Sequence, residues 1–80
     1  MKRVDVQYFA ILREQAGSPG EAVETDAATP AELYAELSDR HGFTLGKEQL
    51  KVAVNDDFAS WTQGLVEGDS VVFIPPVAGG

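Results

Sequence analysis

The residues whose types and order lend themselves to chemistry are the last six, Pro75-Pro76-Val77-Ala78-Gly79-Gly80. An α-carboxyl group has a pKa near 3.5, so at neutral pH it is a resonance-stabilised carboxylate and a poor electrophile. It accepts sulfur or an amine only after an oxygen has become a good leaving group, which ATP can provide through an acyl-adenylate. Glycine suits that chemistry, because no side chain shields the carbonyl carbon and the backbone takes whatever φ a foreign site imposes. Pro75 and Pro76 fix φ and keep the segment extended, and Gly79 and Gly80 remove side-chain bulk from its tip. Six extended residues reach roughly 20 Å, enough to enter a narrow channel in another protein. The expectation is a flexible tail over 75–80 with Gly80 as the group acted on. A terminal glycine pair alone is a weak signal, since chain ends are commonly disordered. Its place directly after a proline-punctuated apolar strand strengthens it.

Other constellations read as structural. Asp56-Asp57 could serve acid–base chemistry or hold a hard cation, but the pair sits in a turn, where Asp is favoured for backbone reasons. His41 beside Gly42 reads as a helix-end residue, Trp61 as core or core edge, and Arg13 with Glu14 as a solvated helix face. No glycine-rich phosphate loop, nucleophile elbow or metal-ligand spacing is present, so any nucleotide or metal belongs to a partner enzyme.

The 80-residue chain has room for one domain with one modest core and for no deep enclosed active site. With no cysteine it has neither a disulfide framework nor a thiolate nucleophile, which suits a reducing compartment. The start, MKRVDVQYFAIL, is a poor signal peptide because Asp5 and Gln7 interrupt its apolar run. No stretch approaches a membrane span. The expected location is the cytoplasm. A net charge of −7 argues against binding nucleic acid or an anionic membrane and suits solubility, or steering toward a basic partner.

The elements that must position the tail follow from periodicity. Val4, Val6 and Tyr8 alternate with polar residues as in a half-buried strand over 3–9. Helix formers occupy 10–16 and end at Gly17, and a weaker strand covers 21–25. Thr29 as N-cap, Pro30 at the first helical position and Glu32 as capping-box partner begin a helix that runs to His41, with Gly42 just beyond. Residues 43–50 have no clear pattern. Strands are expected at 51–55 and, shorter, at 58–61, around a turn at Asn55-Asp56-Asp57. Ser70-Val71-Val72-Phe73-Ile74 is nearly continuous in apolar residues and reads as a central strand buried on both faces, stopped by Pro75. Placing the first and last strands side by side in the centre, with one long helix across the sheet, yields an α+β fold of the β-grasp type. It has about five strands in a mixed sheet over 1–74.

Several of these segments together are similar to a known family. The ending Phe73-Ile74-Pro75-Pro76-Val77-Ala78-Gly79-Gly80 resembles that of the small, sulfur-carrying subunits of molybdopterin synthase. The opening Val6-Gln7-Tyr8-Phe9-Ala10-Ile11-Leu12-Arg13-Glu14, with Gly17, resembles their start, and 52–55 and 65–71 resemble their other recurrent segments. The likeness implies a ubiquitin-like β-grasp. It also implies a cycle: an adenylyltransferase related to ubiquitin-activating enzymes adenylates Gly80 with ATP, a sulfur donor protein converts it to a thiocarboxylate, and the tail delivers sulfur to cyclic pyranopterin monophosphate inside the large subunit. Two deliveries build the dithiolene that later holds molybdenum, in a heterotetramer of two large and two small subunits. The likeness further implies that Gly79 is the slender neighbour Gly80 needs, and that Phe9, Arg13, Phe73, Pro75 and Val77 contact partners. The chain is then no enzyme by itself and binds no cofactor. Alternatives remain: a sulfur carrier for thiamine or tRNA thiolation, or a ubiquitin-like modifier joined to lysines. A stand-alone enzyme lacks the groups it would need.

Overall fold

The computed structural model describes residues 1–76, so expectations for Val77, Ala78, Gly79 and Gly80 lie outside the described residues. In chain order the elements are β1 (Lys2–Tyr8), α1 (Ile11–Ala16), β2 (Gly20–Thr25), α2 (Pro30–His41), a 3₁₀ turn (Lys47–Gln49), β3 (Lys51–Val54), β4 (Asp57–Ala59) and β5 (Ser70–Ile74). The strands form one mixed sheet in the order β2-β1-β5-β3-β4. The first and last strands lie parallel at its centre, with Val6 opposite Val71 and Tyr8 opposite Phe73. The other neighbours are antiparallel. This is the β-grasp arrangement expected from the pattern.

Helix α2 forms where its start signals stand. The Glu32 N–H donates to the Thr29 hydroxyl oxygen at 3.2 Å. The return arm of the expected capping box goes elsewhere: the Glu32 carboxylate accepts from the Ala28 N–H at 3.2 Å. Gly42, at φ 72°, ends the helix in the left-handed conformation that glycine adopts without penalty. Leu33, Tyr34 and Leu37 press onto the inner sheet face, where Val4, Val6, Tyr8, Val23, Val52, Val54, Val71 and Phe73 are buried. Tyr34 is the hub of the aromatic packing, with ring centroids 5.1 Å from Phe73, 5.6 Å from Phe43 and 6.0 Å from Trp61. Its hydroxyl donates to the Leu45 carbonyl at 2.6 Å and so ties the irregular stretch after α2 to the core.

Several boundaries differ from expectation, most by a single residue. Ala10 is not helical: it sits at φ 52°, ψ −127°, and α1 begins at Ile11. The hairpin between β3 and β4 turns at Asn55 (φ 52°) and Asp56 (φ 73°), positive at both central positions as a two-residue turn of primed type requires. The returning strand therefore starts at Asp57, one residue early, and ends at Ala59, leaving Trp61 as a partly buried residue packed on the core. Strand β5 is also not buried on both faces: Val71 and Phe73 are 0% exposed, but Val72 and Ile74 are only half-buried. The cause is the layering. The single long helix covers one face of the sheet, and among the described residues nothing of comparable size covers the other.

Candidate functional site

The end of β5 brings the interesting residues together. Parallel pairing sets Tyr8 beside Phe73, so the chain leaving β1 and the chain leaving β5 emerge at the same end of the sheet. Antiparallel pairing sets Lys51 beside Ile74 at that end. The root of the tail is therefore flanked by Phe9 on one side and by the start of β3 on the other.

On the uncovered face, side chains alternate outward from each strand. Val72 and Ile74 from β5, Ala53 from β3, Phe58 from β4 and Phe9 just past β1 surround a hollow of about 280 Å³, with Gln7 and Asp56 at its polar margin. Phe58 is 74% exposed and Phe9 45%. Large aromatics facing solvent around a concave apolar floor are a common signature of a protein contact surface. The acidic margin favours a partner whose own rim is basic. A second groove, lined by Leu50, Lys51, Ile74, Pro75 and Pro76, follows the tail root itself.

Two local devices hold this end of the sheet. The first is the elbow Phe9-Ala10-Ile11-Leu12, closed by the Leu12 N–H donating to the Phe9 carbonyl at 3.1 Å. Its first central residue, Ala10, occupies backbone space that essentially belongs to glycine, a strain of order 1–3 kcal/mol. The second is a clamp beneath the tail root. The Glu21 carboxylate of β2 accepts from the Tyr8 hydroxyl at 2.6 Å and from His41 Nε2–H at 2.7 Å, and Arg40 lies 4.0 Å away. Burial pushes the Glu21 carboxyl up, but the bonds from Tyr8 and His41 and the charges of His41 and Arg40 outweigh it and hold the group below the ordinary carboxylate value. Burial first, then the bond to Glu21 and its negative charge, push the Tyr8 hydroxyl far up, so it acts only as a donor.

The residues singled out from sequence fall into three groups. Phe9 is exposed at the hollow, and Arg13 is exposed on α1. Phe73 is 0% exposed and packs on Tyr34 and Trp61. A side chain so placed anchors β5 in the core. Pro75 is buried against the domain, while Pro76 is exposed. Val77, Gly79 and Gly80 lie beyond the described residues. Asp56 lies in the hairpin turn as read, while Asp57 is the first residue of β4, and among the described residues no cluster of three or more His, Asp or Glu could hold a metal ion. His41 is a helix-end residue, but one that also closes the Glu21 clamp.

Sequence reasoning missed Phe58, Ile74 and Val72 as a surface. Their signal was present in the apolar run of β5, which breaks the in–out alternation that a half-covered sheet needs. Glu21 and Ala10 left no signal, since each acts through tertiary neighbours. No helix among the described residues is long and apolar enough to cross a membrane.

Residues 6–80 match the ThiS family. The chain is 38% identical over 80 residues to the molybdopterin synthase sulfur carrier subunit of Escherichia coli, covering 96% of this chain and 99% of that one. Its structure is similar to H. volcanii small archaeal modifier protein 1, with a TM-score of 0.81 and 25% identity over 96% of this chain and 100% of that chain. It is also similar to a chain in the complex of subunits 1 and 2 of the molybdopterin-converting factor from Helicobacter pylori. That match has a TM-score of 0.68 and 25% identity over 98% of this chain and 99% of that chain. The fold is the ubiquitin-like β-grasp.

Proposed function

The chain belongs to the ThiS family, and from that premise we propose that it is the sulfur carrier subunit of a molybdopterin synthase, working through Gly80. The observation that carries the reading is the uncovered apolar hollow of Phe9, Ala53, Phe58, Val72 and Ile74, which runs into the proline-led tail. A protein that swallows the four residues after Pro76, about 13 Å when extended, must press against the domain at the tail root. An apolar surface stands there.

The cycle follows from the chemistry of a carboxylate. An adenylyltransferase joins the Gly80 carboxylate to AMP and releases pyrophosphate. The persulfide of a sulfur donor protein then displaces AMP to give an acyl disulfide, and a thiol reductant cleaves its S–S bond, freeing the donor and leaving a thiocarboxylate. The large subunit receives the tail, the thiocarboxylate sulfur bonds to cyclic pyranopterin monophosphate as a thioester, and water cleaves the acyl–sulfur bond, leaving sulfur on the pterin and Gly80 as a carboxylate again. ATP belongs to the activating enzyme, and the chain itself contributes a carried group, with no catalytic side chain and no resident cofactor. Gly79 keeps the approach narrow, and Phe9, Arg13, Phe73, Pro75 and Val77 contact the receiving protein. The working complex is a heterotetramer in the cytoplasm.

The test is reconstitution with the large subunit and the pyranopterin precursor. Thiocarboxylated protein should convert the precursor, and deletion of Gly80 should abolish conversion while the melting temperature stays put. Conversion by the truncated chain would overturn the carrier role. A second reading, a modifier joined to lysines, draws on the likeness to the archaeal modifier protein. Mass measurement on protein recovered from cells separates the two: a gain of about 16 Da, the replacement of oxygen by sulfur at a carboxyl group, marks a carrier, and lysine-linked adducts mark a modifier.

A further inference from the structure

Among the described non-glycine residues, three have positive φ: Ala10, Asn55 and Asp56. The last two are residue types that tolerate that conformation and sit in a hairpin turn that demands it. Ala10 is neither. Its φ of 52° and ψ of −127° suit the first central position of a turn that glycine would make without strain. It is solvent-exposed, so no packing of its methyl group accounts for the choice.

The residues around Ala10 suggest what an L-residue does there. Tyr8, two positions before, is 1% exposed, and Leu12, two positions after, is 0% exposed. Between these anchors Phe9 is 45% and Ile11 40% exposed. Phe9 forms one wall of the hollow and Phe58 another. A mobile aromatic beside an apolar floor will fold down and cover it, because that removes apolar area from water. In the free protein such a collapse would close the surface a partner needs. An L-residue at position 10 leaves the elbow few alternatives to the one its anchors impose, whereas glycine would leave many.

We infer that Ala10 is a positioning residue: the restriction an L-residue places on the elbow between its two anchors holds Phe9 exposed beside the tail root, so that the hollow is open before the tail-receiving protein arrives. The inference rests on the proposed carrier function for the identity of that protein. It goes further in assigning a docking role to a residue that touches no partner. The occupant of the hollow is an apolar side chain of the protein that receives the tail, set among basic residues. Ile74 lines the hollow and leads directly into the tail, and Asp56 at the margin supplies the opposite charge.

Three chains separate rigidity from strain: the parent, Ala10→Gly, and a synthetic chain with D-alanine at position 10. Glycine removes the strain and the rigidity. D-alanine removes the strain and keeps the rigidity, because the mirror image of the observed φ and ψ is an ordinary extended conformation for an L-residue. Both variants should melt at or above the parent's temperature. Binding to the cognate large subunit, measured by calorimetry, should weaken at least about threefold for Ala10→Gly and stay within about twofold for D-alanine, as expected when pre-organisation is what is lost. In the free protein, the Leu12 amide should exchange with solvent faster in Ala10→Gly alone.

A smaller loss in the glycine chain, an equal loss in both chains, or a lower melting temperature for either would overturn the inference. Unchanged Leu12 exchange in Ala10→Gly would do the same with no partner present. Failure of the parent to bind the large subunit would overturn the functional reading itself, and with it the role given to Ala10.

Discussion

Phe58 is the residue at which a docking role and a folding role separate most cleanly. It is 74% exposed, so its ring contributes little to the core, yet it walls the hollow. Phe58→Ala should leave the melting temperature nearly unchanged and weaken binding of the large subunit about tenfold, the loss typical of a moderately important interface aromatic. Titration of the purified variant against the large subunit checks this. Unchanged affinity would remove the hollow from the interface. Phe73, one residue before Ile74, is the opposite case, being 0% exposed and stacked on Trp61 at 5.9 Å between centroids. Truncating it would cost about 3–5 kcal/mol of stability through the cavity it leaves, so a binding defect there would mix lost contact with unfolding.

Between elements, the Glu21 clamp ties the edge strand β2 to β1 and to the last turn of α2, through Tyr8 and His41. Its pH dependence follows from the direction of the Glu21 shift. The folded-state pKa lies below the ordinary value of 4.5, so the folded chain binds a proton less readily than the unfolded one. The stabilisation is complete above pH 4.5 and is lost as pH falls through the depressed folded-state value. Glu21→Gln keeps the shape but not the charge, and should cost about 1–2 kcal/mol near neutrality. It should also flatten the acid limb of a plot of melting temperature against pH. An acid limb as steep as the parent's would show that other carboxylates govern it.

At the scale of the whole molecule, the net charge of −7 is a long-range term that no single contact expresses. A partner with a basic rim would be drawn in faster than neutral diffusion allows, and salt would screen the attraction over a Debye length of about 8–10 Å near physiological strength. The association rate constant with the large subunit should therefore fall several-fold between about 50 mM and 500 mM salt, while dissociation changes far less. Stopped-flow measurement decides it, and a rate indifferent to salt would assign the charge to solubility alone.

The sequence by itself determined the local elements and much of their assembly. Thr29, Pro30 and Gly42 set the ends of α2 because capping is short-range chemistry, and the alternation in β1 decides which side chains face the core. The grasp topology was also legible, since the two most strand-like segments belong at the centre of a sheet crossed by one helix. The likeness in Phe73-Ile74-Pro75-Pro76-Val77-Ala78-Gly79-Gly80 was enough to indicate the family. Only the tertiary structure decided the rest. That Val72 and Ile74 face solvent depends on a second helical layer being absent among the described residues, a property of the assembled sheet and not of β5. That Ala10 leaves the helix at positive φ depends on Tyr8 and Leu12 being anchored on either side of it. That Glu21, Tyr8 and His41 meet depends on register between elements far apart in the chain. Propensity and periodicity act over a few residues, whereas exposure, strain and charge pairing are settled by what the fold brings near.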